Sequence, residues 1–557
     1  MTKYTIPALL DNAITKYHNQ PALAFAGDTP INYEQLGQQV NEASVMLHKL
    51  GVTQSDKVAI VSTNMPNWGV AFFGILKLGA VAVPILPDFH NNEIKSIIDH
   101  SEAKILFVSE NLYNKIEKET FETLQTIILI DRFVVVPQGT SQTQLRKLDG
   151  NASYTSDTIN YPEVGEEDLA SIIYTSGTTG SSKGVMLSHK NLAWNAMQSA
   201  TLQPIVCEDR FLSLLPLSHT YENTLGLLLP IFHGASVHYL QKPPTASVLL
   251  PALKLIKPTK VLSVPLIIEK IFRAKIYPNF QKNAVIRTLY KTKPFRKLLH
   301  RVAGKKLMAT FGGKVDFFGI GGAKLDPSVE QFLLDARFPY AIGYGLTETS
   351  PLLAGTTTKN TRLGSTGTVL QGVNLRISDA DPATGEGEIQ AKGPNVMKGY
   401  YKMPEITAQA FTADGWFRTG DLGAFDSKGF LSIKGRIKNM IVGASGENIY
   451  PEEIESVINR MRFVLESVVV QQKGKLVAFI HLNMEEIENQ YLSLRSDALQ
   501  FKEKINERKD EILKEIQNKV NAEVNKFSRI QQVIFQPVPF EKTPTQKIKR
   551  FLYYQNI

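Results

Sequence analysis

The stretch YTSGTTGSSKGVMLSH (Tyr174–His189) places eight Gly, Ser and Thr residues between Thr175 and Ser182, directly before one lysine, Lys183. To its left LASIIYT (169–175) is apolar and partly β-branched, and to its right GVMLSH (184–189) has the same character, so both read as buried strands. The segment SGTTGSSK therefore links strand to strand. Successive backbone N–H groups of a glycine-rich loop converge on phosphate oxygens, hydroxyls add donors, and Lys183 adds charge. The Walker loop, GxxxxGK followed by Ser or Thr, is the nearest rival and fails here. Counted from Gly177, its sixth position is Ser182, its Ser/Thr position is Gly184, and no helix follows directly. On these residues alone a surface turn stays open as the alternative.

Outward from the loop, helical and strand patterns alternate. YEQLGQQVNEASVMLHKLG (33–51) has helical spacing and DKVAIVS (56–62) follows as a strand; 66–86 gives a helix, a glycine break and a strand, and 93–109 repeats the unit. This alternation predicts an α/β fold with largely buried strands, and 557 residues predict more than one domain. No fixed-period repeat is present. The texture changes near 429–455, where short strands meet a Gly-rich stretch and a helix entered through Pro451. A hairpin with a KGK turn follows at 466–482, then a charged segment at about 485–527 that reads as a solvated helix. The predicted domains are 1–434 and 440–557, with a hinge at 435–439.

Six further segments carry groups in chemically suggestive arrangements. In IGYGLTETSP (342–351), Gly343 and Gly345 permit close backbone approach, Thr347 offers a hydroxyl and Glu348 a hard oxygen suited to Mg²⁺. Alone, the Thr-Glu pair reads more readily as a helix cap. FFGIGGAKLD (317–326) ends a strand in a Gly-rich turn. WFRTGDLG (416–423) and GRIK (435–438) pair a carboxylate with a guanidinium, a set that can share both hydroxyls of a ribose or form a plain surface ion pair. The apolar run 225–232 within LSLLPLSHTYENTLGLLLPIFHG (212–234) suits either an acyl chain or a buried core helix. TPTQKIKR (543–550) is a basic tail whose lysine, read alone, is solvated.

Together these segments resemble the adenylate-forming superfamily, which includes acyl-CoA synthetases, luciferases and peptide-synthetase adenylation domains. The resemblance runs from about residue 33 to Tyr553 and implies a large N-terminal domain with a small mobile α+β C-terminal domain. It implies that Thr175, Ser176, Gly177, Thr178, Thr179, Gly180 and Lys183 hold the β- and γ-phosphates of ATP. Gly321, Gly322 and Ala323 would line the adenine and acyl ends of the pocket, and Tyr344 and Gly345 would flank the adenine. Thr347 would contact the α-phosphate and Glu348, with Thr175, the Mg²⁺, while Asp421 and Arg436 would hold the ribose. Lys547 would be the catalytic lysine and Lys438 the hinge. Gly443, Ser445 and Gly446 of VGASGEN (442–448) would line the path of the CoA pantetheine. PLSHTYE is most similar to long-chain acyl-CoA synthetases, putting His219 and Tyr221 in the acyl pocket. Two positions depart from many relatives: Lys324 stands where Pro is frequent, and Gln546 where Gly precedes the lysine.

The implied activity is ATP-dependent conversion of a long-chain fatty acid to its adenylate, then to a CoA thioester. Acyl carrier protein is the alternative acceptor, and a nucleotide-binding protein without catalysis a remoter reading. The single cysteine, Cys207, excludes an intrachain disulfide and suits a reducing cytoplasm. No signal peptide is expected, and apolar runs fall short of the roughly 20 residues that span a bilayer. The net charge of +9 arises locally, because 270–314 holds thirteen Lys/Arg and no Asp or Glu. That segment reads as a solvated surface or as a dock for anionic lipid, acidic carrier protein or polyphosphate. No nucleic-acid recognition motif accompanies the charge.

Overall fold

The computed structural model describes residues 3–145, 148, 159–175, 182–442, 448–494, 498–543 and 547–554. The patterns over 33–109 become helix Tyr33–Lys49, strand Lys57–Val61, helix Pro66–Lys77, strand Val81–Ile85, helix Asn91–Ser101 and strand Ala103–Val108. Asn32 caps the first helix by accepting from the Gln35 N–H, and the Gln35 side chain accepts from the Asn32 N–H in return. Pro66 opens the second where an N–H has no helical partner in any case. That second helix is apolar on every side: Trp68, Phe72, Phe73, Ile75 and Leu76 are all buried. Such a helix belongs in an interior, and it lies in an apolar core shared by two large sheets.

One sheet has nine strands among the described residues, and six adjacent ones are parallel: Tyr340–Gly345, Phe317–Ile320, Lys260–Ser263, Arg210–Leu212, Ser236–Tyr239 and Pro21–Phe25. The other has eight, and in it Leu169–Thr175 runs parallel to Val81–Ile85 and antiparallel to Lys183–Ser188. A smaller antiparallel sheet joins Asn374–Ser378, Gly387–Lys392, Phe417–Phe425 and Leu431–Arg436. Polypeptide entering from the ends of these strands builds one cleft, as open α/β sheets generally do at their carboxyl edges.

After Arg436 comes a single turn, Ile437–Asn439, and Ile441 begins a separate apolar core with Ile454, Ile458, Val469, Ile480, Ile516 and Val520. The expectation of one solvated helix over 485–527 is corrected here. The segment divides into Met484–Glu488, a 3-10 stretch and Ala498–Glu523, and the last buries Ile512, Leu513, Ile516 and Val520 in the C-terminal core. Its dense charges hid a narrow apolar stripe at helical spacing. Among the described residues, the C-terminal module rests on the body through few polar contacts. Tyr450 donates to Glu386 (3.0 Å), which also pairs with Lys434 (2.8 Å). Arg273 donates to the Asn459 carbonyl while pairing with Asp326 (3.0 Å), and Lys324 lies 3.9 Å from Glu453.

The basic segment forms a surface pair of helices, Ala284–Lys291 and Lys293–Thr310. It is fastened by a chain in which Tyr290 meets His300 (3.0 Å) and His300 meets Asp335 (3.0 Å), with Phe280 stacked on Tyr290. No helix among the described residues is long and apolar enough to cross a membrane.

Candidate active site

The hairpin foreseen at Tyr174 is present: Thr175 and Lys183 face each other across the antiparallel ladder at its neck. Ser176, Gly177, Thr178, Thr179 and Gly180 lie outside the described residues, as do Gly443, Ser445 and Gly446. The Lys183 ammonium sits 5.0 Å from the centre of the Tyr400 ring. Burial and the nearby Lys438 pull its pKa below the ordinary lysine range, and Glu348 opposes them. Glu348 lies on the turn Thr347–Thr349 and accepts a hydrogen bond from the Tyr400 hydroxyl (3.0 Å).

Strand Tyr340–Gly345 delivers Tyr344 and then that turn. The close approach inferred for Gly345 is real, since a β-carbon there would stand 1.8 Å from the Pro351 carbonyl oxygen. Tyr344 is buried and donates to Asp421 Oδ2 (2.9 Å), while Arg436 Nε donates to Asp421 Oδ1 (2.8 Å). Asp421 and Arg436 are register partners on adjacent strands, so the ladder itself sets their pairing. Burial raises the Asp421 pKa, and Arg436 and Tyr344 work against that rise.

Lys547, from the far end of the chain, completes the group. Solvent still reaches it, yet the surrounding protein and Arg436 lower its pKa, and Asp421 and Glu348 counter them. The same lysine acts on His219, whose pKa is held at about 4, first by burial and then by Lys547. His219 is thus neutral, and its Nδ1 accepts from the Tyr221 N–H (3.2 Å), which leaves the ring proton on Nε2 as a donor.

Beside Tyr221, whose N–H meets His219, opens an apolar pocket of about 550 Å³ of empty space, open solvent at its mouth included. Tyr221, Leu225 and Leu229 line one wall at four-residue intervals along a π-helical turn and the helix after it. Leu227, Leu228 and Ile231 face the core, so the run 225–232 is both pocket wall and core helix. Leu202, Phe211, Leu262, Phe317, Gly319 and Gly343 are among the residues of the other walls, and of these six sequence reasoning singled out Gly343 alone. They come from separate segments and share no local signal. Gly321 packs on the Tyr221 ring, where a β-carbon would stand 3.2 Å away; Gly322, with φ +87°, and Ala323 follow in the exposed turn. Tyr400 was missed too, as a lone tyrosine in a short strand.

The arrangement suits a polyanion and an apolar acid meeting end to end. Lys183, Lys547 and Arg436 supply charge, Asp421 a bidentate acceptor, and the pocket excludes water from an alkyl chain. Glu348 and the Thr175 hydroxyl are hard donors of the type that Mg²⁺ takes alongside phosphate oxygens. Among the described residues no cluster of three or more His, Cys, Asp or Glu could cage an ion alone, so a metal here would need the nucleotide's oxygens.

A family model described as AMP-binding enzyme matches residues 10–401. The long-chain-fatty-acid–CoA ligase FadD15 of Mycobacterium bovis is 30% identical over 94% of this chain and 90% of its own. A chloroplastic long-chain-fatty-acid–[acyl-carrier-protein] ligase of Arabidopsis thaliana, AEE15, is also 30% identical, over 86% of this chain and 76% of its own. ATP-bound MatB from Rhodopseudomonas palustris shares the fold with TM-score 0.75 and 24% identity, over 100% of this chain and 99% of the other.

Proposed function

The chain belongs to the AMP-binding enzyme family, and from that premise we propose how its cleft activates a long-chain fatty acid and passes it to CoA. The observation that carries the reading is the convergence of Lys547 with Asp421, Arg436, Glu348 and His219 beside the apolar pocket. In the first step a carboxylate oxygen attacks the α-phosphorus of ATP; the new P–O bond gives the acyl adenylate, and the bond to pyrophosphate breaks. Asp421 and Arg436 hold the ribose, and Tyr344 braces Asp421. Lys183 and the hairpin beyond Thr175 hold the outer phosphates. Lys547 bridges carboxylate and α-phosphate as charge accumulates, and His219 Nε2 donates at the pocket mouth. Such catalysis rests on positioning and on charge stabilisation. Mg²⁺ bound with ATP would be held by Glu348 and Thr175 and would supply charge neutralisation at the phosphates.

In the second step a thiolate attacks the acyl carbonyl and AMP leaves. The thiol would approach where Lys547 stands in the first step, so in this reading the C-terminal module turns between the steps with Lys438, on the linking turn, as its hinge. A reducing cytoplasm is the compartment that the lone cysteine, Cys207, suits. Mass spectrometry of a reaction holding ATP, Mg²⁺, mixed fatty acids, CoA and holo-acyl carrier protein tests this. Long-chain acyl-CoA with AMP is expected; acyl-carrier product alone would move the acceptor to the second relative's type, and no AMP would refute the activity.

The segment 270–314 supports a partner as well. Arg273 alone among its thirteen cations forms an ion pair among the described residues, and Val285, Phe295, Leu298 and Val302 stand exposed between them. Unpaired cations around apolar side chains on one helix pair suit an anionic lipid surface, where sparingly soluble fatty acids reside. Sedimentation with anionic but not neutral vesicles, weakened by salt, is the expected outcome; equal behaviour with both would return the segment to a solvated surface.

A further inference from the structure

Lys547 stands on a strap that the proposed reaction does not explain. Residues 541–543 run out and 547–550 run back: Thr543 N–H donates to the Lys547 carbonyl (2.7 Å), Lys549 N–H donates to the Glu541 carbonyl (2.8 Å), and Lys542 and Ile548 form a bridge. Lys549 pairs with Glu541 across the legs (3.3 Å), and one further cation on each leg ties the strap to the rest of the module. On the returning leg, Arg550 grips Glu455 with both terminal nitrogens (2.5 and 2.9 Å) and donates also to the Val469 carbonyl (2.6 Å). Glu455, on helix Pro451–Ile458, accepts from the Val469 N–H as well (2.6 Å), so helix, strand and strap are tied at one point. On the outgoing leg, Lys542 pairs with Glu466 of strand Val464–Gln472. The Arg550 and Glu455 side chains are 14% and 12% exposed, those of Lys542 and Glu466 25% and 24%. At its ends the strap is packed: Phe540 lies in an apolar cluster with Val468, Val470, Val477 and Phe479, and Tyr553 closes over Phe479 and Phe540.

We propose that Arg550 and Lys542 are positioning residues for adenylation: they fix the two legs of the strap and so hold the Lys547 ammonium in register with the cleft. The inference rests on the reading of Lys547 given above. Arg550 is three residues from the lysine and Lys542 five, so little slack separates anchor and ammonium. A misplacement of about 1 Å in such a group costs on the order of 10²-fold in rate. A bidentate guanidinium fixes direction as well as distance, which a lysine in its place does not. Once the module turns for thioester formation, Lys547 has left the cleft, and its exact placement no longer matters. The two half-reactions should therefore respond differently. Arg550 also lies 3.6 Å from Glu452, which accepts from Asn439 in the linking turn, whereas the Lys542 ion pair with Glu466 lies within the module. Lys542 thus provides the cleaner test.

The experiment uses the full chain and measures two rates: pyrophosphate release from ATP with a long-chain fatty acid, and thioester formation from synthetic acyl adenylate with CoA. Lys542→Met and Arg550→Lys are expected to lower the first about 10- to 100-fold and to leave the second within about twofold. Lys542→Arg, which keeps the ion pair, should restore release to near the wild-type rate. Unchanged pyrophosphate release in both variants overturns the proposal, and so does an equal fall in both steps, the mark of a general structural role. Wild-type protein inert in both steps would overturn the functional reading itself, and the positioning role with it.

Discussion

Glu222 shows how much a single residue's surroundings decide. It lies buried on the π-helical turn behind the pocket wall, accepting one hydrogen bond from Ser213 (2.6 Å), while its other oxygen has no partner. Burial raises its pKa to about 8, so the folded protein holds it as the neutral acid. Below pH 4.5 folded and unfolded chains are both protonated there. As pH rises toward 8 the unfolded chain ionises and the folded one resists, so stability is lost over that interval. Glutamine matches the neutral acid in shape. Glu222→Gln should therefore gain up to about 3 kcal/mol relative to wild type between pH 4.5 and pH 7. Thermal denaturation at both pH values checks this, and parallel curves would contradict it. Buried His189 and half-buried His219 and His238, held at about 4, act in the other sense: their contribution is full above 6.5 and lost as pH falls toward 4. None of these environments was legible in the sequence, because burial of a polar side chain depends on what packs over it. That Lys183, Glu348, Asp421, Arg436 and Lys547 lie together was legible because each sits in a long local motif.

Elements were legible where period and punctuation agreed. Helices and strands over 33–109 fall where spacing, caps and prolines put them, and the hairpin after Tyr174 joins two strands as read. The charged helix Ala498–Glu523 was misread because charge density outweighed four apolar positions. The apolar pocket was half legible. Tyr221, Leu225 and Leu229 share a helical face, but the opposite wall is assembled from sheet strands distant in sequence. Gly319 is the narrow point of that wall: a β-carbon would lie 2.9 Å from Phe317, 3.0 Å from Leu262 and 3.2 Å from the Tyr221 hydroxyl. Gly319→Val should therefore obstruct the pocket and lower kcat/KM for palmitate at least tenfold more than for octanoate. Paired assays with the two acids decide it; an equal loss for both would mean that Gly319 does not limit chain length.

At the scale of the whole molecule, two cores meet at one turn. The body ends its last sheet at Arg436, a ribose-binding candidate, and the C-terminal core begins at Ile441. Among the described residues few polar contacts cross between them, and exposed ion pairs are worth only about 0–1 kcal/mol each. A module so lightly held can leave the cleft at modest cost, as the proposed second half-reaction would need. Locking the turn should therefore separate the two steps. Lys438→Pro is expected to retain most pyrophosphate release and to slow thioester formation from the adenylate at least tenfold; an equal loss in both would argue against a hinge there.

The central claim is that Lys547 enters the cleft to stabilise the first transition state. Pyrophosphate release by Lys547→Ala, with its thermal midpoint measured alongside, tests it most directly. The expected result is a fall of roughly 10²–10³-fold at unchanged midpoint, the usual cost of losing one charge-stabilising donor. Near-wild-type release from this variant would contradict the account.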